Sequence, residues 1–144
     1  MKRFLKYFFY PIEALLFALV VLTGLILPFA WGSKVGAFLG RFFGPKLSRI
    51  NHIVRRNFEL AGLDFSPQRQ EEIIQKMWSN LGRTFLEYVR LPHQDPFEKN
   101  SLYDIQGIEH IDDLIKDNKP GLLFSAHYGN WELGTYVAQK RGLK

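Results

Sequence analysis

The stretch that decides the fold is GLLFSAHYGNWELGTYVAQK, residues 121–140. Its first six residues, 121–126, form a short apolar run that is typical of a buried strand. Gly129 follows as a turn residue, and the remaining residues have the pattern of a helix. The stretch therefore predicts a strand-to-helix loop that carries His127, with Glu132 in the first turn of the helix.

Patterns elsewhere in the chain predict further helices and one more strand. Amphipathic helices are expected over residues 46–60 and 67–90, the second starting at a Ser-Pro pair, and a shorter helix over 108–115. Residues 103–106 have the pattern of a strand. These elements predict an α/β fold in which helices flank a mixed sheet. Because two strands cannot cover this many helices, we expect the chain to be the first part of a longer, here truncated domain.

The N-terminal region has the pattern of a membrane anchor. Residues 14–31 are almost wholly apolar, a length at the short end of the roughly 17–25 residues of a spanning helix. A spanning helix and an interfacial helix both fit this length. A cleaved signal peptide is disfavoured, because the sequence around Pro28 is a poor cleavage site. We assign residues 1–32 to the anchor and residues 33–144 to the domain that follows.

Charge is distributed unevenly along the chain. Up to Arg56 there are nine Lys and Arg residues against one acid, a local net of +8, whereas the remainder has ten against thirteen, a net of −3. Cations beside an apolar segment favour contact with an anionic membrane surface over a generally basic, solvated surface. Nucleic acid is disfavoured as a partner, because the aromatic residues lie in apolar runs and no nucleic-acid-binding motif is present.

The candidate chemistry of the loop is acid–base catalysis. A histidine and a carboxylate five residues apart, with a turn between them, suit a general base whose second ring nitrogen is held by an acid. The chain has no cysteine, no His-Glu-x-x-His and no Gly-x-Ser-x-Gly, which disfavours a metal site, a thiol nucleophile and a nucleophile elbow. His127 and Glu132 are therefore the candidate catalytic pair, with a structural histidine as the alternative on the residues alone, and we predict no metal and no cofactor.

Residues 124–132, FSAHYGNWE, resemble the signature of the lipid A biosynthesis acyltransferases, the lauroyl and myristoyl transferases of the lysophospholipid acyltransferase superfamily. Weaker matches lie earlier in the chain, in the same order as in the family, at residues 55–60, at 80–83 with Glu87, and at 107–110. Glycerolipid acyltransferases of the same superfamily usually have Asn before the histidine and Asp as the acid. The Ala and Glu found here favour the lipid A or glycolipid branch.

The resemblance implies an enzyme of the bacterial inner membrane with its catalytic region on the cytoplasmic face. It would move a fatty acyl chain from an acyl-carrier-protein thioester to a hydroxyl of a lipid A precursor, with acyl-CoA as the alternative donor. His127 would be the base and Glu132 its partner, and backbone N–H groups at Gly129 and Asn130 would bind the substrate oxyanion. Capping the helix is the alternative role of Asn130. The alternative functions are transfer to another glycolipid or a lysophospholipid, and a non-catalytic membrane-bound fragment.

Overall fold

The computed structural model describes residues 2–117 and 119–143, with side chains from residue 9 onward. It contains six α-helices in the described part of the chain. They are α1 (Lys2–Ile26), α2 (Phe29–Phe43), α3 (Ser48–Leu60), α4 (Pro67–Arg90), α5 (Ile108–Lys116) and α6 (Glu132–Arg141). Short 3-10 helices over Gly44–Lys46 and Leu91–His93 follow α2 and α4.

The predicted α/β fold with a mixed sheet is wrong, because the described residues form no strand. Residues 103–106 and 121–126, the two expected strands, are irregular. In the second segment Leu122 and Phe124 are 84% and 93% exposed. A strand is stabilised by hydrogen bonds to a neighbouring strand, and no described segment supplies one. The run is apolar as the sequence shows, but it is exposed and does not lie in a sheet.

The chain divides into two compact units, residues 1–89 and 90–144. The first unit contains α1 to α4, and the second contains α5, α6 and the irregular segments around them. The predicted division into an anchor, 1–32, and a following domain, 33–144, is a division by function, which these compact units do not test. It stays a prediction.

Helix α4 forms as the sequence predicted. Pro67 is its first residue, and the hydroxyl of Ser66 accepts a hydrogen bond from the backbone N–H of Arg69 at 3.3 Å. This bond satisfies one of the amide groups that the start of a helix leaves unpaired. The helix ends at Arg90, just before the Leu-Pro pair at 91–92. Ile74 is fully buried and Trp78 is 8% exposed, which marks the face that packs inside the unit.

Glycines bring α2 and α4 into backbone contact. Gly36, Gly40 and Gly44 recur every fourth residue and lie on one face of α2 and its continuation. A Cβ atom added to Gly36 would lie 2.2 Å from the carbonyl oxygen of Gly82 in α4, and one added to Gly82 would lie 2.1 Å from the carbonyl oxygen of Gly36. The two helices can approach this closely only because both positions lack a side chain.

A buried hydrogen-bond cluster fixes α3 against α4. The Asn51 side-chain oxygen accepts a hydrogen bond from the Trp78 indole N–H at 2.7 Å, and its amide donates to the carbonyl oxygens of Gly44 and Pro45 at 3.2 and 3.0 Å. Asn51 is only 4% exposed. Each polar group of the cluster therefore has a partner away from water, as burial requires.

The apolar N-terminal sequence is divided between two helices. Helix α1 ends at Ile26, Pro28 precedes α2, and the two helices are separate elements. Within α1, residues Phe9–Ile26 are long and apolar enough to cross a membrane, judged by length and composition alone. Leu15, Phe17 and Ile26 are among its exposed side chains, so most of this stretch is not covered by protein.

In the second unit, a bidentate ion pair joins α5 to α6. The Arg141 guanidinium donates from Nε and Nη2 to the two carboxylate oxygens of Asp112 at 2.6 and 2.8 Å. Earlier in α6, the Tyr136 hydroxyl donates to the carbonyl oxygen of Gln94. Gly142 caps the end of α6 with a φ of 115°, a left-handed conformation that is typical of a helix stop.

Candidate active site

The irregular segment that precedes α6 ends in a tight turn centred on His127. The backbone N–H of Tyr128 donates to the carbonyl oxygen of Ala126 at 2.7 Å, a bond across three residues that is typical of a γ-turn. The His127 side chain is exposed at this turn. Gly129 follows with a φ of 59°, a left-handed conformation that most L residues adopt only with strain. The glycine thus lets the chain reverse directly into α6.

Trp131 lies between the two predicted catalytic residues. Its ring centroid is 4.7 Å from that of His127, with the rings tilted by 50°. Its indole N–H donates to the Glu132 Oε1 atom at 3.1 Å. No hydrogen bond or ion pair joins His127 to Glu132 in the described part of the chain. The structure brings each of them to Trp131 but not to each other.

The start of α6 presents backbone N–H groups beside the histidine turn. Trp131 occupies the cap position, and no side-chain hydrogen bond caps the helix. Asn130 contributes its backbone carbonyl, which accepts from the Leu133 N–H at 3.2 Å. The capping role that the sequence allowed for Asn130 is therefore not found. Glu132 lies in the first turn, where the helix dipole favours a negative charge.

An open cavity of about 600 Å³ lies between the segment before His127 and α6. Its lining is mainly apolar, with hydroxyl groups from two residues, and comprises Ile111, Leu123, Phe124, Ser125, Thr135 and Leu143, among others. The segment that lines it ends at Ser125, two residues before the histidine in the chain. The cavity could not be predicted from the sequence, because it depends on how the irregular segment lies against α6.

Arg83 and Glu87, from the middle match to the family signature, lie in the first unit and bond to the same side chain. The Ser33 hydroxyl donates to Glu87 Oε1 at 2.7 Å and accepts from Arg83 Nη1 at 3.2 Å. Together with Gly82, which faces Gly36, these contacts join α2 to α4. The sequence indicated Glu87 as an acid of interest but gave no sign that Ser33 is its partner.

The whole chain matches a known protein family. All of residues 1–144 match the family model described as bacterial lipid A biosynthesis acyltransferase. The chain belongs to this family. The resemblance predicted from the histidine turn is thereby confirmed.

Two members of the lipid A biosynthesis acyltransferase family match the chain at low sequence identity. The palmitoleoyltransferase of lipid A biosynthesis from Escherichia coli strain K12 is 23% identical over 111 residues, which cover 77% of this chain and 36% of that protein. A lipid A biosynthesis acyltransferase of Shigella flexneri matches with the same figures. The aligned region thus spans about a third of the length of these relatives. No solved structure matches the chain.

Proposed function

We propose that the protein is an acyltransferase of lipid A biosynthesis, with His127 as its general base. The observation that carries the proposal is the exposed histidine turn, followed by a helix that starts with an acid, in a chain of this family. The acceptor is a hydroxyl group of a lipid A precursor. The donor is an acyl-carrier-protein thioester, a choice supported by the resemblance of residues 124–132.

The proposed reaction needs no protein nucleophile. His127 removes the proton from the acceptor hydroxyl as its oxygen attacks the thioester carbonyl carbon. The tetrahedral intermediate collapses as the C–S bond breaks, and the leaving thiolate takes the proton back from the imidazolium. An ester and a free carrier thiol result. General base catalysis of this kind is typically worth about 10² to 10⁴ in rate.

Glu132 acts in this scheme by orienting the imidazole and stabilising its charged form. One of its carboxylate oxygens accepts the Trp131 indole N–H. That bond fixes the direction of the carboxylate and leaves its second oxygen for the histidine. Trp131 is thus a positioning residue, in contact with the imidazole on one side and bonded to the acid on the other.

The oxyanion of the intermediate is bound by backbone N–H groups at Gly129 and Asn130 in this proposal. Both residues lie just before the start of α6, where the helix dipole favours negative charge. The left-handed φ of Gly129 aims its peptide group differently from that of its neighbours. The apolar cavity beside this turn suits the acyl chain of the donor.

Membrane attachment completes the proposal. We assign the anchor to residues 1–32 and the start of the acyltransferase domain to residues 33–144, at the cytoplasmic face of the bacterial inner membrane. The exposed apolar surface of α1 and the local charge of +8 up to Arg56 support this placement. The lipid acceptor lies in the membrane, so an enzyme that is attached there reaches it by lateral diffusion.

The test is transfer of a labelled acyl chain from acyl carrier protein to a lipid A precursor in membranes that contain the complete protein. His127→Ala is expected to lower the rate by about 10² or more, and Glu132→Ala to lower it by less. The matched control is His52→Ala, which removes an exposed histidine from α3 in the first unit. The control is expected to keep the wild-type rate.

A near-normal rate for His127→Ala, with the amount of protein in the membranes unchanged, contradicts the mechanism. Equal losses for the His127 and His52 variants contradict the assignment of the site. Faster transfer from acyl-CoA than from acyl carrier protein would replace the donor and leave the base in place. Transfer only to a lysophospholipid or another glycolipid would replace the acceptor.

A further inference from the structure

The exposed face of α2 alternates aromatic and cationic side chains. Trp31, Lys34, Phe38, Arg41 and Phe42 have spacings that place them on one side of the helix, apart from the glycines that contact α4. All five side chains are exposed, and the three aromatic residues are 62%, 66% and 51% exposed in chain order. Aromatic rings among cations on a helix surface are typical of a helix that lies at a membrane interface.

A polar cavity of about 490 Å³ opens between this face of α2 and helix α4. Three cations line it, Lys34 and Arg41 from α2 and Arg83 from α4. Gln75 and Ser79 add neutral polar groups, and no described residue of the lining is acidic. The cavity is therefore a concentration of positive charge and hydrogen-bond donors that a single anion can satisfy.

Arg83 is positioned by a neutral hydroxyl group and belongs to none of the ion pairs found among the described residues. One of its Nη atoms donates to the Ser33 hydroxyl at 3.2 Å, and that hydroxyl donates in turn to Glu87. A guanidinium group has five N–H donors in a fixed plane, so most of them stay available to a ligand. Pre-ordered guanidinium groups are well suited to phosphate oxygens, which they bind in a bidentate manner.

The apolar part of the cavity lining identifies which phosphate fits. Phe38 and Phe42 form two walls of the cavity and stack on each other with centroids 6.1 Å apart. A free phosphate ion makes no use of two exposed phenylalanines. An anionic phospholipid uses both parts, because its headgroup contacts the cations and its acyl chains contact the rings.

We propose that the cavity between α2 and α4 binds the headgroup of an anionic membrane phospholipid. Lys34, Arg41 and Arg83 donate to its phosphate, and Phe38 and Phe42 pack against the start of its acyl chains. This site shares no residue with the histidine turn and binds a lipid of the bilayer, not a substrate of the reaction. It adds selectivity for anionic lipid to the apolar attachment supplied by α1.

The test compares partition of the complete protein into phosphatidylglycerol-containing vesicles and into phosphatidylcholine vesicles. The ratio of the two partition coefficients isolates the headgroup, because the apolar anchor contributes to both. Lys34→Gln/Arg41→Gln is the site variant. Arg49→Gln/Arg56→Gln is its matched control, because it removes two exposed cations with the same seven-residue spacing from α3.

The ratio is expected to fall at least about tenfold further in the site variant than in the control, where only the non-specific attraction of two cations to anionic lipid is lost. Lys34→Arg/Arg41→Lys is expected to keep the wild-type ratio, which rules out damage to the helix as the cause. Phosphate buffer is expected to compete no better than chloride at equal ionic strength. Equal losses in the site and control variants overturn the proposal, and so does specific competition by inorganic phosphate.

Discussion

At the scale of single residues, the Asp112–Arg141 pair links charge to stability in the second unit. Hydrogen bonding to Arg141 lowers the pKa of Asp112 below its ordinary value, although desolvation opposes the shift. A carboxyl group whose folded-state pKa is lowered stabilises the fold at a pH above its unfolded pKa of about 3.9. That stabilisation is lost as the pH falls through the lowered pKa of the folded state.

Asp112→Asn is therefore expected to loosen the contact between α5 and α6 at neutral pH and to have little effect in strong acid. Hydrogen exchange of the amides in these helices measures the difference, which should disappear as the pH falls through the lowered pKa of Asp112 in the folded state. Asp113→Asn is the matched control. Asp113 lies 3.6 Å from Lys116, with both side chains about three-quarters exposed, and such pairs contribute little. A difference between Asp112→Asn and wild type that persists unchanged in acid would contradict this origin.

The sequence predicted the local features of the candidate site better than its side-chain contacts. The turn at Gly129 and the helix that follows it depend on residues next to each other in the chain, and both are present. The hydrogen bond from Trp131 to Glu132 depends on rotamers that no spacing fixes. The pairing of His127 with Glu132 stays a prediction.

At the scale of elements, helices were predictable and strands were not. A helix makes its hydrogen bonds within its own segment, so a start signal such as Ser66 and a stop such as Gly142 define it locally. A strand needs a partner from elsewhere in the chain, and the apolar run over residues 121–126 carries no information about that partner. The same limit applies to Asn51, whose burial depends on Trp78 in another helix.

The close contact of α2 with α4 leads to a prediction about two glycines of the same helix. Gly36→Ala places a Cβ atom 2.2 Å from the Gly82 carbonyl oxygen, so the helices must separate. Overpacking of this kind typically costs about 1–3 kcal/mol. Gly32→Ala is the control, because a Cβ there meets nothing within 4 Å and alanine favours helix by up to about 1 kcal/mol. Thermal unfolding in detergent should show a lower midpoint for the first variant and an equal or higher one for the second.

At the scale of the whole molecule, the packing of α1 within the first unit bears on how the protein meets the membrane. The Phe17 ring lies 6.0 Å from that of Phe85, and a Cβ added to Gly24 would lie 3.3 Å from the Val89 side chain. The later part of the candidate span therefore runs beside the last turns of α4. An apolar groove of about 630 Å³ between α1, α2 and α4 follows the same line.

This packing favours an interfacial position for α1 over a full span. The stretch of α4 that contacts α1 also carries Arg83 and Glu87. If α1 crossed the bilayer, these charged groups would lie at membrane depth, where each costs about 2.5–3.5 kcal/mol near the centre. We therefore expect α1 to lie in one leaflet, with the residues before and after it on the same side of the membrane.

Single-cysteine labelling tests this placement without background, because the sequence contains no cysteine. Lys6→Cys precedes the candidate span, and Asp64→Cys reports the exposed loop between α3 and α4. In sealed inverted inner-membrane vesicles, a membrane-impermeant maleimide is expected to label both variants to the same extent before detergent is added. Labelling of the Asp64 variant alone, with the Lys6 variant reached only after the vesicles are opened, would show that α1 crosses the bilayer. Arg83 and Glu87, which both bond to the Ser33 hydroxyl, would then lie at membrane depth as one connected polar group.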